Sequence, residues 1–79
     1  MTDSEIRTGV ITYFRETNAG DVAAWDLPGY GQPNFETALL QLQSRGIVRC
    51  YFNDDEMTDV RELLLVEVTE FGLNTVIRK

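Results

Sequence analysis

Over the first 17 residues the apolar positions Ile6, Val10, Tyr13 and Phe14 follow one another at steps of four, three and one, which gathers them on one helical face. Arg7, Thr8, Thr12 and Glu16 fall on the opposite face. Thr2 followed three residues later by Glu5 matches a capping box, in which hydroxyl and carboxylate satisfy amide donors that a helix start leaves unpaired. The pattern predicts a first helix that stops at Thr17-Asn18-Ala19-Gly20. Asp21 is then placed to cap a short second helix from Val22 to about Asp26, with Val22 and Trp25 sharing a face and Trp25 in or beside the core. The prolines and glycines of Pro28-Gly29-Tyr30-Gly31-Gln32-Pro33 break the helical pattern and predict a turn that carries an aromatic. Asn34 is a suitable N-cap for a third helix, Phe35 to Arg45, whose core stripe is Phe35, Ala38, Leu39 and Leu42, with Gly46 as the left-handed residue beyond its end.

From Ile47 the chain changes character. Ile47-Val48-Arg49-Cys50-Tyr51-Phe52 is rich in β-branched and aromatic residues and predicts a strand; Asn53 to Asp59 is polar and turn-prone, and Arg61 to Val68 returns as a second strand. Thr69 is placed to cap a last short helix, Glu70 to about Ile77, with Phe71, Val76 and Ile77 available to pack. Without repeats, low-complexity tracts or a linker, residues 1–79 read as a single α+β domain with a three-helix core, a two-stranded β-hairpin and a short C-terminal helix.

This order of elements resembles the winged helix-turn-helix superfamily, especially its small bacterial, archaeal and phage regulators. The resemblance is carried by Ala38-Leu39-Leu40-Gln41-Leu42-Gln43-Ser44-Arg45-Gly46-Ile47-Val48-Arg49, similar to a recognition helix turning into the first wing strand, and by Val66-Glu67-Val68-Thr69-Glu70-Phe71-Gly72, similar to the second wing strand and its exit. It implies a single winged-helix domain in which Gln32, Asn34, Glu36, Thr37 and Gln41 occupy base-reading positions and Asn53 to Arg61 form the wing. Arg45, Arg49 and Arg61 would then meet phosphates. The superfamily includes DNA readers, protein-only adaptors and viral inhibitors, so the resemblance speaks to fold more than to function.

Charge turns the reading away from DNA. The net charge is −6, from 13 acidic against 7 basic residues, and residues 53–70 alone hold Asp54, Asp55, Glu56, Asp59, Glu62, Glu67 and Glu70 against Arg61. Two like charges about 7 Å apart repel by about 0.6 kcal/mol even in bulk water. A hairpin tip with four carboxylates therefore works against the phosphate attraction that dominates non-specific DNA affinity.

Catalytic chemistry has little to build on. The absence of histidine excludes a histidine triad, a histidine general base and a histidine-ligated zinc site. Gly29-Tyr30-Gly31 lacks the third glycine and the preceding strand of a dinucleotide-binding motif. The acidic loop lacks the alternation and central glycine of a calcium-binding loop. Cys50 is the only cysteine, so no intrachain disulfide forms, and beside Tyr51 and Phe52 it reads as a small apolar strand residue. Without a signal-peptide pattern or a membrane-length apolar run, the expectation is a cytoplasmic protein that uses no cofactor and no metal and is not an enzyme.

Two functional expectations follow. The leading one is an interaction module that engages a protein partner through Tyr30 and the acidic residues Asp54, Asp55, Glu56 and Asp59, imitating nucleic acid toward a basic surface as small phage-encoded inhibitors do. The alternative is a sequence-specific DNA-binding regulator, acting as a dimer, with Gln32, Asn34, Thr37 and Gln41 on bases and Arg45, Arg49 and Arg61 on phosphates. A halophilic origin would account for the carboxylates without any partner.

Overall fold

The computed structural model describes residues 1–55, 57 and 60–77, and for residues 54, 55 and 60 the backbone. The capping box forms as expected: Glu5 N–H donates to the Thr2 hydroxyl at 3.1 Å and Thr2 N–H to the Glu5 carboxylate at 3.0 Å. It opens helix α1, Asp3–Thr17, which ends where Asn18 adopts a left-handed conformation and its N–H returns to the Phe14 carbonyl. Ile6, Val10 and Phe14 are buried along one stripe. Tyr13 is half-buried and meets Phe14 edge to face.

The expected second helix does not form. Asp21–Ala23 is a strand, β1, and Ala24–Asp26 is a single 3₁₀ turn. The few residues between Gly20 and Pro28 are too few to repay helix nucleation, whereas the neighbouring strand offers unpaired backbone groups that an extended segment satisfies. Asp21 pairs opposite Glu67 in the sheet instead of capping a helix. Val22 is buried and Trp25 is 56% exposed, so the two share no face and Trp25 is not a core residue. The helical part of the core is therefore α1 with one further long helix, not three.

That helix, α2, spans Phe35–Ser44 and buries Phe35, Ala38, Leu39 and Leu42. Gly46, at φ 77°, turns the chain out of it, and the Ile47 N–H closes back on the Leu42 carbonyl at 3.0 Å. Strands β2, Val48–Asp55, and β3, Val60–Val68, follow as an antiparallel hairpin. Asn53, Asp54 and Asp55, expected in a loop, continue β2. The sheet has three strands in the order β1-β3-β2, not the expected two. Val22, Val66 and Cys50 share one row on its inner side, against the helices. The register slips between Tyr51 and Phe52, which pair with Leu65 and Leu63 and leave Leu64 as the extra residue of a bulge.

Beyond β3, Thr69 caps the short helix α3, Glu70–Gly72, which widens into a π-helical turn, Leu73–Ile77. Ile77 reaches the core, but Phe71, expected to pack, is 57% exposed. The Arg15 Nε donates to the Val76 carbonyl at 3.1 Å and ties this terminal turn to α1.

Candidate interaction site between the Tyr30 turn and the hairpin

The turn before α2 is shaped by Gly29 and Gly31, at φ 89° and 93°, which place Tyr30 between two left-handed positions that side chains disfavour. Backbone bonds from Tyr30 N–H to the Leu27 carbonyl and from Gln32 N–H to the Gly29 carbonyl hold it, at 3.3 and 3.0 Å. Tyr30 is 48% exposed and its ring meets Phe35 edge to face, with centroids 5.6 Å apart. Together the Tyr30 turn, the first residues of α2 and the start of β3 line a cleft of about 330 Å³.

Charge in this cleft is mixed. Glu36 comes from α2, and Arg61 and Glu62 from β3. The Arg61 guanidinium lies 3.9 Å above the Phe52 ring, a cation–π arrangement that holds it against the hairpin stem. Tyr30, Gln32, Glu36 and Arg61 are thus brought together from both sides of the expected site.

Other expected residues are dispersed or already engaged. The Asn34 side chain does not cap α2; its amide donates to the Met1 carbonyl at 2.9 Å and to Asp3 Oδ1 at 2.7 Å. Gln41 is half-buried, donates to Asp3 Oδ2 at 3.1 Å and accepts from the Arg7 guanidinium. Gln32 accepts from the N-terminal ammonium at 3.3 Å. Thr37 is exposed on α2. The three arginines do not form one surface. Arg45 caps the far end of α2, Arg49 lies on the side of the sheet away from the helices, and Arg61 lines the cleft. Asp54 and Asp55 pair through their backbones with Arg61 and Val60, while Glu56 and Asp59 lie outside the described residues.

Sequence reasoning missed Glu62 as part of this cleft, and it missed that Leu40 is exposed on α2. Leu40 follows the buried Leu39, and an apolar pair of that kind leaves open which member faces water. Cys50 donates its thiol toward the Leu39 carbonyl at 3.7 Å, and burial, with Glu36 nearby, pushes its pKa up to about 11. That environment makes it a poor nucleophile at neutral pH. Among the described residues no three Cys, Asp or Glu side chains gather as a metal-binding set, and no helix is long and apolar enough to cross a membrane. No protein-family model, curated protein or solved structure matches this chain.

Proposed function

We propose that this chain is a winged-helix interaction module that binds a protein partner through the Tyr30 cleft and the acidic hairpin, offering carboxylates to a basic surface that would otherwise hold nucleic acid. The winged-helix reading draws support from the order α1, β1, α2 and hairpin, with β3 returning between β1 and β2. The observation that carries the functional reading is the solvent side of α2. Between Phe35 and Ser44 the helix contains no basic residue, and it exposes Glu36, Thr37, Leu40, Gln43 and Ser44. The amides of Asn34 and Gln41 are bound to Asp3, and the Gln43 side-chain oxygen accepts from the Cys50 N–H at 2.8 Å. A helix that reads DNA needs free amides or guanidinium groups at base edges and cations at phosphates. The lone, unreactive Cys50 suits a reducing compartment, and the proposal extends to a cytoplasmic protein.

The test pairs two titrations at low and near-physiological salt, one with fluorescent duplex DNA and one with a fluorescent arginine-rich peptide. Expected are no DNA binding and a salt-sensitive peptide complex that weakens when Asp54→Asn, Asp55→Asn and Glu56→Gln are combined. Tight DNA binding with a steep salt dependence would transfer the site to the regulator reading. Peptide affinity unchanged by the triple variant would remove the hairpin from the account.

A further inference from the structure

The outer face of the sheet carries two cross-strand rows. Arg49, Glu67 and Asp21 are register partners on β2, β3 and β1, and two residues along the strands Tyr51, Leu65 and Ala23 are partners in the same way. Alternation places both rows opposite the inner row of Cys50, Val66 and Val22. The Tyr51 hydroxyl donates to Glu67 at 3.3 Å, as residues of adjacent rows on one face should. Tyr51 is 40% exposed, and Leu64 and Leu65 are half-buried yet belong neither to the core nor to the hydrophobic residues packed against it. Both long helices pack on the other side.

Across this face, size and sign run from one edge to the other. Each row has a long side chain on β2 and a short one on β1, and in the charged row the cation is on β2 and an anion on β1. A two-fold axis parallel to β3, midway between two such faces, brings β2 of one copy over β1 of the other at the same level. Tyr51 then meets Ala23, Arg49 meets Asp21, and Leu65 meets its own counterpart. We propose that the chain forms an isologous dimer through this sheet face.

The geometry suits ordinary sheet packing, in which two sheets lie about 10 Å apart with strands within about 30° of alignment. That spacing accommodates one long and one short side chain at each crossing. The outer strands are only about 5 Å from the axis, so the packing angle displaces these pairs little. Glu67 approaches its counterpart at the axis, between the two Arg49 guanidinium groups. A face three strands wide is smaller than a standard interface, so the dimer is weak. The two copies each carry −6, and near-physiological salt screens their repulsion beyond about 8 Å. The proposal is independent of the partner-binding reading, whose cleft lies on the helix side of the sheet.

Sedimentation equilibrium of the full chain from about 5 to about 500 µM at near-physiological salt tests it, over the range expected for so small an interface. A concentration-dependent dimer is expected, with Leu65→Arg raising its Kd by at least about tenfold. Arg49→Asp and Asp21→Arg should each weaken it by about tenfold, and the double variant should return it to within about threefold of the parent. Far-UV circular dichroism confirms that each variant is folded, and the charge exchange remains decisive even where Leu65→Arg does not fold. A monomer at every concentration, a dimer indifferent to folded Leu65→Arg, or a double variant no better than the single ones would overturn the proposal.

Discussion

The backbone of Gly72 rests against that of Ile47 so closely that a β-carbon on Gly72 would lie 2.9 Å from both the Cα and the carbonyl carbon of Ile47, and closer still to its oxygen. The Thr69 hydroxyl fastens the same junction, accepting from the Gly72 N–H at 2.9 Å while facing the carbonyls of Gly46 and Ile47. The obstruction is backbone, which cannot swing aside as a side chain does. Gly72→Ala is expected to lower stability by about 2 to 3 kcal/mol, a loss typical of overpacking in a closed site. Urea denaturation with an unchanged m-value would check it, and a loss under half a kcal/mol would show that the junction yields.

Asp3 supplies both oxygens to α2, one to Asn34 and one to Gln41. Asp3→Ala removes two charge-assisted bonds and a favourable charge at the start of α1, and a loss of about 1 to 2 kcal/mol is expected. Double-mutant cycles with Asn34→Ala and Gln41→Ala should return non-zero coupling for each pair.

Cys50 should react slowly with iodoacetamide at pH 8 in the native protein and rapidly in denaturant, because its pKa is pushed up to about 11. The raised value also sets a pH dependence. The unfolded chain ionises the thiol first, so the stability linked to the neutral thiol is complete below the ordinary value of 9.0 and is lost as pH rises toward 11. Cys50→Ala should lose less stability over that interval than the parent.

At the acid end the relevant group is Glu5, whose carboxyl is held below its usual value of 4.5 first by the Thr2 backbone and then by the Thr2 hydroxyl. A lowered pKa contributes stability above the unfolded value, and that contribution disappears as pH falls through the folded one. Glu5→Gln should therefore remove part of the acid-side fall in the thermal midpoint, while Thr2→Ala costs about 0.5 to 2 kcal/mol at neutral pH through the lost cap. A scan of melting against pH for the three proteins checks both.

The parts of the fold that the residues announce are those with local causes. Thr2 and Glu5 mark the start of α1, the Ile6, Val10, Phe14 stripe marks its buried face, and Gly46 marks the exit from α2. β1 was not legible, because three residues carry no periodicity and its extended form depends on β3 far along the chain. Asn34 shows the same limit, since its cap propensity was outcompeted by the carboxylate of Asp3. Half of the cleft could be read from sequence, Tyr30, Gln32 and Glu36 being near neighbours there. The placement of Arg61 over Phe52 and of Glu62 at the rim follows from hairpin register, which a bulge at Leu64 displaced by one residue.

β1 belongs to the first third of the chain and finds its hydrogen-bonding neighbour in β3, near the end, just as Arg15 of α1 finds the carbonyl of Val76. β1 therefore has no hydrogen-bonding partner while the early half of the protein is being synthesised, although Asp3 and Arg7 already tie α1 to α2 through Asn34 and Gln41. A nascent chain leaving the ribosome would carry α1 and α2 with the core only partly closed until the hairpin and terminal turn have followed. Closure of the core then waits on the last part of the chain, and a ribosomal pause before Val76 would prolong the interval in which the core's apolar side chains are open to chaperones or to aggregation.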